Sequence, residues 1–504
     1  KANDAMPDFA SWQPDVFQFD SNVAAEASGV LVNANAYIPL PSPAPSSLAV
    51  PGVVRGAFAA RMSDNSIHIF AMTATNAYKI VSATDPWTDI TRTAGGTYNL
   101  AADDYWDMAQ FGANLIAVNF QDAVQTIDVN VGTNMAALGG SPPNAHYVET
   151  IGDFVELGST ATSSTSVKWS GRNDSATWTA YVKDSDSQPF PDGGDVTGLA
   201  GYELGAIVWQ ADCVRMQVAE TSSAIFSFHK IDAARGTVSP YSIVRDGADV
   251  YYYSTTGFAR IGGLGLGGGS GSTSGFQNVG INRINDWFNG DRNKMRPHAI
   301  IGVLDPLVRR IFWLYARASN ASSPILDGLI IYDIERDKWT RATCALTYIF
   351  APATVGMTLG ALGALYSTLT AVPQPFGSDI WKGGVPGLAA FDANNKLCFF
   401  SGAPMAATVQ TSPFQPIPGA RSLVKGFRLN GDAIAATGQV GGTEMPANPV
   451  MWNKSAELGL KGDIPCRLST RFAQFQINVP AGAVWTALAG IEFDSDDVIK
   501  EGSR

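Results

Sequence analysis

The chain has 504 residues, carries a formal net charge of −11, and only 16% of its residues are charged, against about 25% in an average globular protein. A hydrophobic share of 45% with 12 Trp, 15 Tyr and 25 Phe excludes disorder, because such a chain can bury a core, and the shortage of Glu and Lys excludes a coiled coil or helical bundle. The acidic balance excludes wholesale coating of nucleic acid, which needs a basic field, while leaving room for a local basic patch.

With 51 Gly and 28 Pro, many turns and many aromatics, the composition is that of an all-β protein. The opening, "KANDAMPDFASW", has no basic region followed by an apolar run, so no secretory leader is expected. Residues 1–50 read as an extended arm. The run "YIPLPSPAPSSLAVPG" holds Pro39, Pro41, Pro43, Pro45 and Pro51, which excludes helix and central strand and predicts a segment lying over a surface.

From Val54 onward, short β-branched and aromatic runs alternate with Gly, Asn, Asp and Ser. "RGAFAARM" (55–62), "IHIFAMT" (67–73) and "NAYKIVS" (76–82) come first, then "YWDMAQFG" (105–112), "NLIAVNF" (114–120) and "AVQTIDV" (123–129). "HYVETIGDFVELGST" (146–160) and "SVKWSG" (166–171) follow, and "VTGLAGYELGAIVWQADCVRMQVAE" (196–220) reads as three strands joined by tight turns. In "PYSIVRDGADVYYYSTTGFARIG" (240–262) the Asp-Gly pair signals a hairpin. "VGINRINDWFNGDRNKM" (279–295) spaces Ile281, Ile284, Trp287 and Phe288 as on one face of a short amphipathic helix. Strands resume at "HAIIGVLDPLVRRIFWLYA" (298–316), "DGLIIYDIERDKWTRAT" (327–343) and "GLAAFDANNKLCFFSG" (387–402). Near the end, Phe472, Phe475, Ile477 and Val479 alternate as if pointing into a small closing sheet.

These runs form a quasi-repeat of roughly 45 residues, the range of propeller blades. "NAYKIVSATDPWTDIT" and "GLIIYDIERDKWTRAT" share a hydrophobic run, an acidic turn and then Trp87 or Trp339 followed by Thr. Such an aromatic is expected to fill the gap beside the next blade. The expected fold is therefore an all-β propeller of about six or seven blades with a small C-terminal β extension. The expected divisions are an arm over 1–50, a propeller body over 51–420 and the extension over 421–504. No stretch reaches the ~18 apolar residues of a membrane span; the longest candidate, Ala351 to Ala371, is broken by Pro352, Gly356, Gly360 and Gly363.

Chemistry-bearing patterns are few. "RIGGLGLGGGSGSTSGF" (260–276) offers Gly262, Gly263, Gly265 and Gly267, but no Walker Lys-Ser/Thr follows and no βαβ unit surrounds it, so a mobile loop is expected in place of a phosphate cradle. His68, His146, His229 and His298 have no partner at metal-motif spacing, and Cys213, Cys344, Cys398 and Cys466 form no CxxC pair. Neither metal, cofactor nor catalytic residue is expected, and the cysteines read as buried free thiols. "SATDPWTDIT" and "SGRNDSATWT" loosely resemble the Asp-box turns of sialidases; the simpler reading is a turn capped by Asp85 or Asp174 with Trp87 or Trp178 packed beneath. Arg55, Arg215, Arg235 and Arg245 are available for a substrate carboxylate, but no local pattern gathers them. Arg292, Lys294 and Arg296 in "DRNKMRPH" form a modest basic cluster that would become a collar around a DNA channel if the chain formed a symmetric ring.

The segment from "DVTGLAGYELGAIVWQ" through "ARGTVSPYSIV" to "GADVYYYSTTGFARIGG" resembles the packaged-DNA stabilisation or tail hub proteins of short-tailed bacteriophages. The motifs that match in order are Gly198–Val218, Arg235–Val244, Asp249–Ile261 and "VGINRINDWF", with "SVKWSGRNDSATW" upstream and "FQINVPAGAVW" near the end. The clear similarity spans 145–295. It implies a non-enzymatic virion protein, assembled in the host cytoplasm, with a propeller body. It also implies a ring, a hexamer, below the portal and adaptor that retains packaged DNA until ejection and carries tail spikes or a needle. Arg292, Lys294 and Arg296 are then the candidate channel or contact residues. The alternative is a carbohydrate-binding or glycoside-cleaving, sialidase-like propeller, which would gather acids and Trp side chains on one face.

Overall fold

The structure is a computed structural model. It describes residues 9–501 apart from 263–274, most of 353–386, and positions 20, 65, 83–84, 203–204, 221–224, 460–461 and 494–496. The core of the expected glycine loop and nearly all of the apolar Ala351–Ala371 stretch therefore lie outside the described residues. Among those described, no helix is long and apolar enough to cross a membrane.

Five separate four-stranded antiparallel sheets follow one another along the chain. They begin with the strands Gly56–Arg61, Asp107–Phe111, Ala145–Ile151, Val196–Tyr202 and Val244–Asp246. A sixth comprises Ile300–Asp305, Arg310–Tyr315, Leu326–Asp333 and the first half of the long strand Lys338–Phe350. The second half of that strand starts a seventh sheet, pairing with Ala389–Asp392, which pairs in turn with Lys396–Pro404. The second strands, such as "GAIVWQ" (Gly205–Gln210) and "RIFWLY" (Arg310–Tyr315), are buried along their whole length. They do not alternate because each sheet is covered on both faces by its neighbours. The Asp-Gly signal is met: Asp246 pairs with Asp249 across a two-residue turn.

The buried apolar residues divide into seven clusters, and each joins one sheet to the next. Phe70 and Met72 pack with Leu115 and Ala117, Ile116 and Val118 with Val155 and Leu157, and Val167 and Trp169 with Ala206 and Val208. Ile207 and Trp209 pack with Tyr252 and Ala259, and Tyr253 and Phe258 with Trp313 and Tyr315. Leu314 and Leu329 pack with Ile349 and Ala390, and Phe350 and Phe391 return to Ile69 and Tyr78 of the first sheet. Seven sheets with seven interfaces, the last closing on the first, make a seven-bladed β-propeller. Trp87, Trp178 and Trp339 do fill gaps between blades, but each packs toward the preceding blade and not the next. The pleat decides this: on one strand Trp339 faces the fifth blade, while Ala342 and Leu346 face the seventh.

The Pro-rich run is extended, and it is also paired. Pro41–Ala49 forms the outer strand of the seventh blade against Lys396–Pro404, so the two ends of the ring are closed by chain from its opposite ends. Proline lacks an N–H and is tolerated there because an outer strand has one free edge. The residues before it do not form a separate arm. Ala24–Ser28 pairs with Ala407–Thr411, which leads to Phe472–Val479 and Thr437–Thr443. Val30–Asn33 and Ala36–Pro39 join Leu488–Glu492 and Ser422–Gly431 in a second sheet. Gly29 lies where the chain passes between the two sheets; at φ 69, its missing Cβ would stand 2.0 Å from Ala406 O. The two sheets enclose Val30, Phe427, Phe475, Ile477 and Leu488, all fully buried, so the C-terminal extension is a small sandwich. Divisions at residues 50 and 420 would both cut sheets.

The expected helix is shorter than its periodicity, running only over Asn285–Asp291. Ile284 and Phe288 are buried as the spacing requires, but Ile281 lies before the helix and is 56% exposed. The start is fixed by the Asp15 carboxylate, which accepts from the backbone N–H groups of Asp286 and Trp287 at 2.9 and 2.8 Å. Trp12 packs edge-on against Trp287. Removal of residues 1–49 would strip the seventh blade of its outer strand and expose the surface covered by Trp12, Val30 and Tyr37. That deletion is expected to cost more than about 5 kcal/mol, comparable to the whole net stability of a domain. Circular dichroism should show no cooperative melt.

Candidate functional site

The first strand of each blade lines the propeller axis. Neighbouring first strands approach one another around the ring but are not hydrogen-bonded as a ladder. Their free backbone groups are met by side chains reaching across the gaps. The Asp107 carboxylate accepts from Val148 N–H of the next blade at 2.9 Å. Arg245 donates to the Gly201 carbonyl of the preceding one. Trp106 and Trp313 each give an indole N–H, at 2.9 Å, to Thr73 O and Ser242 O.

Within this ring is a cavity of ≈ 350 Å³ whose walls include Asp107, Tyr147, Glu149, Gly201, Tyr241, Arg245 and Tyr348. Asp107 is pushed up to about 7 by burial and then by the nearby Glu149. Glu149 is itself raised, chiefly by burial. Beside the cavity, where the first strands begin, side chains from four separate parts of the chain converge. Asp104 accepts from the Tyr241 hydroxyl at 2.8 Å, and the Nδ1 atoms of His146 and His298 stand 3.6 and 3.5 Å from its two oxygens. Tyr105 packs edge-on against Tyr241, and Phe120 stacks on His146 at 4.0 Å. Burial opposes ionisation of Asp104, but its contacts with His146, His298 and Tyr241 outweigh that and hold the carboxyl well below its usual range.

The sequence pattern did not single out this cluster, because its members are far apart and none belongs to a motif. A signal was nevertheless present. "DDYW", "NAHYVE", "SPYSIV" and "RPHAII" each place a polar or aromatic residue at the start of a blade's first strand.

The three predicted basic residues share a loop but not an environment. Arg296 is 3% exposed, with Nε 2.8 Å from Asp103 Oδ1 and Nη1 donating to Asn320 Oδ1 and Ser323 O. It ties the entry of the sixth blade to the link between the first two. Arg292 is half-buried, its guanidinium 5.1 Å from the Tyr253 ring centre and its Nε donating to that hydroxyl. Lys294 is exposed, beside Met295 at 88% exposure. The carboxylate-binding arginines are likewise dispersed: Arg215 pairs with Asp192, Arg235 lies over Phe276, and Arg55 donates to Asp104 O. Asp174 caps its turn, accepting from Ala176 N–H and Thr177 Oγ1, with Trp178 buried beneath. Trp87, buried after Asp85, donates to Leu48 O. Among the described residues, the tryptophans are buried, apart from Trp287 against Trp12 and the partly exposed Trp452 on the sandwich. No three metal-ligating side chains come together among the described residues, and all four cysteines are free thiols.

A seven-bladed propeller carrying a C-terminal β-sandwich is thus the class that fold and axis define. No protein-family model matches the chain, and no curated protein matches it. Among solved structures it is similar to the AfRom2 CNH domain, at 9% identity and a TM-score of 0.35, over 70% of this chain and 96% of that one. It is also similar to BamB from Moraxella catarrhalis, at 11% identity and a TM-score of 0.35, over 74% of this chain and 92% of that one.

Two substitutions separate structural from surface roles in the basic loop. Arg296→Met is expected to cost about 3 kcal/mol in urea unfolding, because it leaves Asn320 and Ser323 without their donor. Lys294→Ala should leave the midpoint unchanged. A further prediction concerns Glu156, fully buried between the third and fourth blades, which accepts from Gln217 Nε2 at 2.7 Å. Burial pushes its carboxyl up to about 8. The native state therefore keeps a proton that the unfolded chain releases near pH 4.5, and stability falls as pH rises from about 4.5 to 8. Glu156→Gln should remove that part of the slope and stabilise the protein by a few kcal/mol at pH 8, read from unfolding curves at both ends of the range.

Proposed function

We propose that the chain is a structural virion protein of a short-tailed phage. In this reading it is the tail hub or head-closure protein, forming a hexameric ring below the portal and adaptor. The observation that carries the reading is where the shared motifs fall in the fold. The similar segment, 145–295, coincides with the third to fifth blades and the short helix that leads to the sixth. Its motif residues sit at blade junctions. A Cβ on Gly198 would meet Ile243 Cδ1 at 2.4 Å, and Thr237 of the "ARGTVSP" link donates to Tyr253 O at 2.7 Å. Such residues set how one blade meets the next, which supports reading the resemblance as one of blade arrangement.

The mechanism is mechanical. Blades locked by interlocked cores and by a strand from the opposite end of the chain form a stiff block, suited to a part that must hold against packaged DNA. The axis of each propeller is acidic and laced across, so DNA would run outside it, along a channel between subunits. Lys294 and the partly exposed Arg292 face outward and could contribute to a collar there; Arg296 is committed to Asp103. Spikes or a needle would dock on the ring's outer surfaces.

The purified chain, mixed with the portal and adaptor ring from the same genome, should form a six-fold assembly by electron microscopy and native mass spectrometry. A chain that stays monomeric with that ring and is absent from virions would overturn the proposal. Specific binding or turnover on a glycan array by such a chain would favour the carbohydrate-active alternative.

A further inference from the structure

The axial cavity holds polar groups beyond those needed to lace the blades. Asp107 and Glu149 satisfy neighbouring backbone N–H groups: Asp107 accepts from Met108 and Val148, and Glu149 from Thr150 and Gly201. Each carboxylate retains lone pairs beyond these bonds. Tyr241 and Tyr348 are also engaged, with Asp104 and with the backbone of Ala57. Tyr147 is different. It lines the cavity, is 6% exposed, and its hydroxyl makes no hydrogen bond among the described residues. A buried hydroxyl facing an open polar space is costly unless something enters to meet it. Among the described wall residues the one cation is Arg245; it is exposed and donates to the carbonyls of Gly201 and Gly247, and its charge partly offsets that of Glu149 without hydrogen-bonding to it.

We propose that this cavity is a binding site for a small alkylammonium ion, held by the Asp107 and Glu149 carboxylates with the Tyr147 hydroxyl as a further acceptor. An ammonium group offers three N–H donors and one positive charge, which complements two carboxylates and a phenol oxygen. A metal ion is a poorer match, because among the described residues no third His, Cys, Asp or Glu side chain joins the two acids. The cavity, at ≈ 350 Å³, exceeds the need of a four-carbon diamine, whose six heavy atoms take roughly the space of six waters at ~30 Å³ each. The site does not depend on the virion reading, so either can fail without the other.

The test uses the isolated full chain, so that any signal comes from free amine and not from a lysine of a neighbouring subunit. Calorimetric titration with 1,4-diaminobutane at pH 8 and constant ionic strength should give saturable binding. At that pH Asp107 is ionised, being above its value of about 7. Tetramethylammonium, a cation with no N–H, should bind at least about tenfold more weakly, the worth of one charge-assisted hydrogen bond. Glu149→Gln should weaken the diamine by a similar factor or more. Should that variant fold poorly, Tyr147→Phe removes only the unpaired hydroxyl, keeps the ring packing, and should still weaken binding several-fold. Heat no larger than that of sodium chloride at equal ionic strength would overturn the proposal, as would equal affinity in the wild type and Tyr147→Phe.

Discussion

A propeller is limited by what happens between its sheets. Within a blade the ladder satisfies the backbone, but the first strands of neighbouring blades splay around the axis and cannot pair. Apart from single backbone bonds at the strand ends, such as Trp106 N–H to Arg55 O and Phe120 N–H to Ala145 O, what holds one blade to the next comes from side chains. Two devices do this here. Away from the axis, interlocked apolar clusters bury both faces of every blade. At the axis, where little apolar area remains, polar side chains cross to the neighbour's backbone, as Asp107 does to Val148 and Trp313 to Ser242. Removing one such donor or acceptor leaves a buried backbone group unmet, which costs more than the hydrogen bond itself contributes. The axis is therefore polar by necessity before it is polar for any purpose.

The same constraint explains the course of the N-terminal residues. A ring built from one chain is weakest where its ends meet, and here Pro41–Ala49 is carried into the seventh blade to cover that joint. Pairing over a separation of some 350 residues imposes a loop-closure cost that grows only slowly with length. The residues just upstream complete both sheets of the sandwich. Arg341 then fixes the sandwich to the rim of the sixth blade, its guanidinium gripping both oxygens of Glu26 at 2.6 and 2.7 Å, while Gly29 N–H donates to Arg341 O. Sandwich and propeller are thus tied together through this stretch of chain.

What could be read from the sequence was what is local. Strand runs, hairpin turns, the capped Asp174 turn and the blade period all depend on neighbours in the chain, and the structure has them where the residues place them. The Pro-rich run reads as an extended arm over a surface, and its pairing was not legible, because prolines announce extended backbone without saying what it lies against. The helix was over-read at Ile281, since its true start is set by Asp15, more than 260 residues away. Among the basic residues, charge pattern could not separate Arg296 from Lys294. Only Asp103, brought alongside by ring closure, turns one into a buried tie and leaves the other exposed. The Asp104 cluster was hidden for the same reason: aligned strand starts converge only once the ring is closed.

The low charge content takes on a specific meaning in this setting. Many of the arginines are already matched to carboxylates within the chain, including Arg92 with Asp122, Arg310 with Asp333 and Arg317 with Asp291. A cation so paired adds almost nothing to the field felt by a polyanion at a distance. Over the whole chain the balance is net negative. If the chain forms the proposed ring, a channel walled by such net-acidic subunits would hold DNA only weakly by counterion release beyond a local collar, since that release depends on many clustered free Lys and Arg contacts. It would instead leave DNA free to slide, and retention would have to come from closure of the passage and not from affinity for its contents.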